Sequence, residues 1–476
     1  MQRRSQLNSL QRTRIGRWDI PGVHKLSLWQ RVTPPQLFVA SFAVLIVLGT
    51  LGLKFLPGLY TGEPLNWLDA LFTSTSAVCV TGLIVVDTAT YFTVRGQAFL
   101  LLLIQLGGLG MLAFTSLIIV ALGRRLSLRQ EALATGARDV APHVDPRRLT
   151  FAIMRFTFVL EALGAAALYV LWAPRFGWRG AAWPAIFHSV SAFCNAGFST
   201  FSDSLIGFQQ APLSLGVVML LIVTGGLGFL TLEEGYLRYY AGRTEQIFRI
   251  SLHSRLVILA TTALLLLGWL LYALFEWNAT LKPLPVGHRV WNALFMSVTS
   301  RTAGFNTIDY ARATDSTNFL TILLMMVGGS PGSTAGGIKT TTFALIGLLA
   351  WSRLRGRETT SFWSRSIRDE TSDRAVGLFV IAFAIVTTGI FLLTAAELAR
   401  PDNGRFLIRM FEAVSAFNTV GLSMGMTPEL TVSGRWIVIL LMFFGRVGPL
   451  TLAAALTIRR SGEIGFRYAY EDVVVG

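Results

Sequence analysis

The stretch Ser189-Val-Ser-Ala-Phe-Cys-Asn-Ala-Gly197 returns three more times along the chain. The other copies are Ser74-Thr-Ser-Ala-Val-Cys-Val-Thr-Gly82, Ser297-Val-Thr-Ser-Arg-Thr-Ala-Gly304 and Ala413-Val-Ser-Ala-Phe-Asn-Thr-Val-Gly421. The closing glycines are 115, 107 and 117 residues apart. Each copy ends a half-apolar segment that begins near Trp67, Trp183, Trp291 or Phe406. Such a segment is too short to cross about 30 Å of hydrocarbon. Longer apolar runs flank it, so the repeated unit reads as span, short re-entrant helix, loop, span. Two full spans return a unit to its starting side. Its copies are then related by rotation about the membrane normal.

Composition sets the solvent. Of 476 residues, 53% are hydrophobic and 14% charged, against about 25% charged in soluble domains. Unbroken apolar runs replace the alternation of a transmembrane barrel, so the fold class is an all-α integral membrane protein. Its four span–pore loop–span repeats stand with pseudo-fourfold symmetry about a central pore. Eight spans are expected, near 37–56, 98–122, 151–173, 212–232, 256–275, 319–349, 375–396 and 436–458. The organisation is a basic arm (1–36), repeats over 37–122, 151–232, 256–349 and 375–458, and a tail over 459–476. The arm is a solvated or lipid-facing tail, or a partner-binding segment.

The net charge of +15 is one-sided. The arm, the tail and the segments 123–155, 233–255 and 353–374 hold 27 Lys/Arg against 14 Asp/Glu, whereas the opposite loops balance at 11 each. That is the positive-inside pattern. It puts both termini in the cytoplasm of a multi-pass plasma-membrane protein, in bacteria the inner membrane, and needs no nucleic acid. Cys79 and Cys194 are too few for a disulfide framework. The five histidines lack ligand spacing, and no catalytic cluster marks an enzyme.

The loops carry the chemistry. A dehydrated cation needs fixed oxygen ligands, and backbone carbonyls facing an axis supply them. Irregular backbone survives at membrane depth only in a cavity or within protein. The candidate ion-binding residues are Val80, Thr81 and Gly82; Asn195, Ala196 and Gly197; Thr302, Ala303 and Gly304; and Thr419, Val420 and Gly421. None is a carboxylate, which suits a monovalent ion better than Ca²⁺. Cys79 and Cys194 read as packing residues behind these loops, and His188 as a packed side chain rather than a proton relay. Glu161 is either a functional acid or a partner for neighbouring spans or for Arg155.

A second mark repeats in step: Gly107-Gly108-Leu-Gly110, Gly225-Gly226-Leu-Gly228, Gly328-Gly329-Ser-Pro-Gly332 and Gly445-Arg446-Val-Gly448. Close helix packing explains the first two. The third opens Gly328-Gly329-Ser330-Pro331-Gly332-Ser333-Thr334-Ala335-Gly336-Gly337-Ile338-Lys339-Thr340. Five glycines and a proline break a helix. Ile338 separates Gly337 from Lys339, which spoils the phosphate-loop pattern. A flexible gate under the loops is the better reading, with Lys339 at its end. Arg446, costly at mid-span, has the broken span's carbonyls as partners, acts as an electrostatic barrier, or reaches back to the interface.

The four single-glycine loops, the Gly332–Thr342 stretch and the span-eight arginine together resemble the Trk/Ktr/HKT superfamily of potassium transporters. The short arm before the first repeat is most similar to the Ktr membrane subunit (KtrB-like). The resemblance implies that Gly82, Gly197, Gly304 and Gly421 form the K⁺ site and that the broken sixth span gates it. It also implies homodimers in membrane lipid, with a tail from Tyr470 to Gly476 at their interface. A separate KtrA/TrkA-like cytosolic ring would bind ATP, ADP or NAD, since this chain holds no nucleotide motif. The expected activity is K⁺ uptake. A Na⁺-conducting or Na⁺-coupled symport carrier on the same scaffold, a membrane enzyme and a non-conducting scaffold are the rivals.

Overall fold

The computed structural model describes residues 34–121, 146–243, 250–398, 406–448 and 451. Nearly all of the basic arm, the stretch 122–145 and the C-terminal tail lie outside the described residues.

The chain is mostly helical. In order come α1 (Pro34–Phe55), α2 (Trp67–Val78), α3 (Thr88–Tyr91), α4 (Val94–Ala121), α5 (Pro146–Phe193), α6 (Pro212–Leu227) and α7 (Phe229–Arg243). They are followed by α8 (Leu252–Glu276), α9 (Val286–Thr299), α10 (Asp315–Met325), α11 (Thr340–Leu354), α12 (Asp369–Ala396), α13 (Phe406–Phe417) and α14 (Val432–Val447). Helix starts follow local capping. The side chains of Asn66, Ser251, Thr314 and Thr431 accept the N–H groups of Asp69, Ser254, Thr317 and Gly434, which satisfies donors that the first turn leaves open. The all-α expectation misses one feature, a hairpin of Ser361–Phe362 with Arg365–Ser366. Trp363 and Ser364 turn it with φ of 51° and 61°.

Among the described residues, four helices are long and apolar enough to cross a membrane, or five if one bent pair counts as a span. Set against the eight expected spans, the structure adds breaks in the third and the fourth. Helix α5 joins the third span to the second re-entrant segment, turning at Gly177 with φ 71° and ψ 157°. The fourth span, expected as continuous over 212–232, bends by 102° between α6 and α7. The sixth is split into α10 and α11 by an irregular segment, as its glycines foretold.

Polarity is arranged for a lipid solvent. Leu48 and Leu51 on α1, Leu266 and Leu270 on α8, and Phe383 and Phe391 on α12 are exposed. Ser74, Ser76, Ser189, Ser191, Ser297, Thr299 and Ser415 are buried. Hydrocarbon offers no hydrogen bonds, so hydroxyls and irregular backbone collect inside. The short helices meet the neighbouring second spans in cyclic order: α4 packs on α5, α6 on α9, α10 on α13, and α14 on α2.

Candidate functional site

The four loops share one backbone conformation. Val80, Asn195, Thr302 and Thr419 have φ of 56°, 59°, 69° and 50°, and two residues later Gly82, Gly197, Gly304 and Gly421 have φ of 94°, 70°, 80° and 91°. The residue between is not in the left-handed region. A valine or threonine with positive φ is strained by about 1–3 kcal/mol, so neighbouring contacts must hold it. They do so from the preceding helix. Thr81, Ala196 and Val420 donate their N–H groups to the carbonyls of Ser76, Ser191 and Ser415, each at 2.8 Å. The third loop is one residue shorter after its serine, and there Ala303 donates to Thr299 at 3.0 Å. Ser76 and Ser415 hydroxyls accept the N–H groups of Gly82 and Gly421 at 3.1 Å.

The glycines approach one another in chain order and close on themselves. A methyl carbon on Gly197 would lie 2.9 Å from the Gly304 Cα, and one on Gly304 would lie 3.3 Å from the Gly421 Cα. On Gly421 it would lie 3.1 Å from the Gly82 Cα, and on Gly82 3.2 Å from the Gly197 Cα. Each would also crowd the carbonyl oxygen before the next glycine: Ala196, Ala303, Val420 or Thr81. A side chain at any of these four places would force the neighbouring loop backbone to shift. The sequence-predicted triplets are thus brought together, all of them buried or half-buried.

Two further repeated contacts support the loops. A methyl on Gly107, Gly225 or Gly445 would overlap the carbonyl of Val78, Phe193 or Phe417, each four residues before a loop glycine. Close packing therefore explains the second glycine mark in units one, two and four. The other contact was missed in the sequence. Gly49, Gly164 and Gly268 in the first spans face Ser74, Ser189 and Ser297. Those hydroxyls donate to Ile46, Glu161 and Leu265 carbonyls at 2.8, 2.6 and 2.8 Å. The signal was available, since each glycine precedes its loop glycine by 33, 33 or 36 residues.

The irregular segment between α10 and α11 lies among all the other units. Its neck is closed, with the Gly328 N–H donating to Ile338 at 2.8 Å and the Thr340 N–H to Gly329 at 3.0 Å. Its body uses carbonyls that a straight helix would have kept. Ser330 and Thr334 donate to Gly226 and Gly225 at 3.0 and 3.2 Å, and Gly337 donates to Gly445 at 3.2 Å. Gly332 accepts from the Phe229 N–H at 3.0 Å. This explains why the fourth span breaks. Gly228 (φ 83°, ψ 143°) and Gly448 (φ 83°, ψ 137°) leave the helix in the same conformation.

Three cations hold this segment. Arg446 is fully buried and donates to Thr334 O at 2.5 Å and to Gly107 O at 2.8 Å. The interface-reaching alternative for Arg446 is therefore set aside. Lys339 is half-buried and donates to Ala335 O at 2.6 Å. Arg301 had no role in the sequence reading. It donates to Gly328 O at 2.9 Å and Thr340 Oγ1 at 2.8 Å, joining both sides of the neck. Its signal was positional, because it stands three residues before Gly304 where the other loops have Cys79, Cys194 and Asn418.

The remaining candidates resolve as packing. Both Glu161 oxygens accept from Gln105 Nε2 at 3.0 Å, while Arg155 is exposed, so the acid pairs with the neighbouring span. Cys79 and Cys194 are buried, and Cys194 Sγ lies 3.4 Å from Gln105 Oε1. His188 bonds to Pro184 O and Ser199 Oγ and stacks on Phe201 with centroids 4.8 Å apart. Among the described residues no group of three or more His, Cys, Asp or Glu could hold a metal ion.

Residues 32–464 match the family described as "TrkH: Cation transport protein". The "Ktr system potassium uptake protein B" of Bacillus subtilis is 38% identical over 454 residues, covering 95% of this chain and 99% of its own length. The "Potassium/sodium uptake protein NtpJ" of Enterococcus hirae is 36% identical over 458 residues, covering 95% and 100%. The crystal structure of the potassium transporter TrkH from Vibrio parahaemolyticus superposes with a TM-score of 0.70 at 20% identity, covering 91% of this chain and 86% of that one, which speaks for the fold.

Proposed function

The chain belongs to the TrkH family of cation transport proteins, and from that premise we propose that it is a potassium-uptake membrane subunit. K⁺ enters from outside and sheds its water at the ring of Gly82, Gly197, Gly304 and Gly421. There the carbonyls of the four triplets replace the hydration shell. The four units stand around one pore with pseudo-fourfold symmetry. The observation that carries this reading is the closed cyclic approach of the four glycines. The shared alternation of backbone hand supports it as well.

Below the ring, Gly328 to Lys339 is the gate. Its tethers to the spans of units two and four support that role, as does the Arg446 bond to Thr334. Arg446 adds a positive charge to the path, so the segment blocks passage by volume and by field. When it withdraws, the membrane potential drives K⁺ inward at about 2.3 kcal/mol per charge per 100 mV. A homodimer with both termini cytoplasmic and a cytosolic nucleotide-binding ring as release signal complete the reading.

A second reading has one specific support, the word sodium in the name of the Enterococcus hirae relative. On that reading the same scaffold conducts Na⁺ or couples K⁺ to it. Radioactive rubidium uptake into proteoliposomes, with Na⁺ as competitor and with opposed Na⁺ gradients, separates the two. Uptake that resists excess Na⁺ and ignores its gradient supports the first. Uptake that follows the Na⁺ gradient supports the second, and no uptake removes both.

A further inference from the structure

Laying the four loops over one another by their glycines exposes a pair of matching braces in units two and four. Two residues after the glycine stand Ser199 and Ser423, and nine residues before it stand His188 and Glu412. Ser199 Oγ lies 2.9 Å from His188 Nε2, and Ser423 Oγ donates to Glu412 Oε2 at 2.8 Å. In both units the same serine oxygen accepts the N–H four residues past the glycine, from Phe201 at 2.9 Å and from Gly425 at 3.1 Å. With that oxygen receiving a backbone proton, the hydroxyl proton turns toward the helix. Glu412 accepts it, and also accepts from Thr427 Oγ1. The Nδ1 of His188 faces the Pro184 carbonyl at 2.8 Å and must donate there, which leaves Nε2 of the neutral ring as acceptor. Both helix residues are fully buried.

Units one and three are built differently. They have Ile84 and Asn306 at the serine position. The Thr73 hydroxyl, nine residues before Gly82, has no hydrogen-bond partner among the described residues. Asn306 Nδ2 turns instead to the Ile308 carbonyl at 3.1 Å. Since the glycines follow one another around the ring as 82, 197, 304 and 421, the two braced units stand diagonally opposite.

We propose that His188–Ser199 and Glu412–Ser423 are paired positioning braces that hold opposite sides of the ion ring at a fixed width and so set its discrimination between K⁺ and the smaller Na⁺. The proposal rests on the potassium-filter reading. Each strand leaving the ring is tied back to its own short helix by a polar group. A buried hydrogen bond fixes geometry well. Losing both ties lets two diagonal loops relax, and the ring then accommodates the wrong radius.

The test measures rubidium uptake into proteoliposomes at graded Na⁺ for wild type, S199A, S423A, S199A/S423A, E412Q and T73A, with Gly82→Ser as reference. Monodisperse size-exclusion profiles establish folding. Discrimination should fall about ten-fold in the double variant and by less in each single variant. E412Q keeps an acceptor for Ser423 and should retain most of it, and T73A should match wild type. Wild-type discrimination in S199A/S423A, with Gly82→Ser impaired, overturns the braces and leaves the filter reading standing. Loss in T73A equal to that in the double variant also overturns them, because any buried hydroxyl would then serve. A wild-type protein without discrimination, or an unaffected Gly82→Ser, overturns the filter reading and the braces with it.

Discussion

Replacing Arg446 should release the intramembrane segment, and the structure indicates by how much. Besides the bonds of Thr334 N and Oγ1 to Gly225 O at 3.2 Å and of Ile338 N to Asn418 Oδ1 at 3.4 Å, five tethers hold the segment body to the other units. They are Arg446 Nη1 to Thr334 O at 2.5 Å, Thr334 Oγ1 to Phe193 O at 3.1 Å, Ser330 N to Gly226 O at 3.0 Å, Phe229 N to Gly332 O at 3.0 Å, and Gly337 N to Gly445 O at 3.2 Å. The Arg446 tether is charge-assisted, and such bonds are worth about 1.5–3 kcal/mol net. The second Arg446 bond, to Gly107 O, anchors the guanidinium on unit one and does not itself hold the segment. Arg446→Ala therefore shifts the balance toward the released segment by about 10- to 150-fold, taking 1.4 kcal/mol as ten-fold. Arg446→Gln separates tether from field. It keeps a neutral donor worth about 1 kcal/mol but removes the whole charge. If the tether dominates, R446Q should conduct between wild type and R446A; if the field dominates, R446Q should equal R446A. The assay is rubidium flux into liposomes without any cytosolic partner, with size-exclusion profiles as the folding control. Wild-type flux in both variants would refute the assignment of Arg446 to the gate.

Other perturbations probe separate contacts. Arg301→Met removes the clamp between Gly328 and Thr340 and should raise unliganded flux while lowering the melting temperature. Unchanged flux in a folded protein would leave Arg301 a purely structural residue. Excising Ser330–Gly336 and bridging the closed neck with a short linker should raise flux, and a folded protein with none would remove the gate. Gly164→Leu drives a large side chain into Ser189 and Leu221. It should cost roughly 1–3 kcal/mol by overpacking, measured as a lower melting temperature in detergent, and a wild-type melting curve would contradict the helix crossing described.

How much of this was legible follows from the range of the forces involved. The loops were legible because strained backbone at membrane depth demands particular residues, and the same demand in four units leaves a periodic trace. The starts of α2 at Trp67 and α13 at Phe406 were visible for the same reason. The break of the fourth span at Gly228 was not. Its cause is a segment of unit three, distant in sequence, that takes the carbonyls of Gly225 and Gly226. A single glycine in an apolar run does not announce such a visitor. Arg301 was likewise hidden, since its partners Gly328 and Thr340 lie 27 and 39 residues away. Glu161 and His188 were visible as buried polar residues, but their partners Gln105 and Ser199 come only with packing. Aligning the units position by position, beyond the loop glycines, would have recovered Arg301, the glycine–serine crossings and the two braces.

The central claim is that four converging loop glycines select K⁺ by the width of the ring they form. The most direct measurement is competition of Na⁺ against rubidium uptake in proteoliposomes carrying wild type or Gly82→Ser. A serine side chain at position 82 would meet the Ala196 carbonyl and the Gly197 Cα, so the account predicts a marked loss of K⁺ preference in a protein that still folds. Equal preference in the two proteins would contradict it.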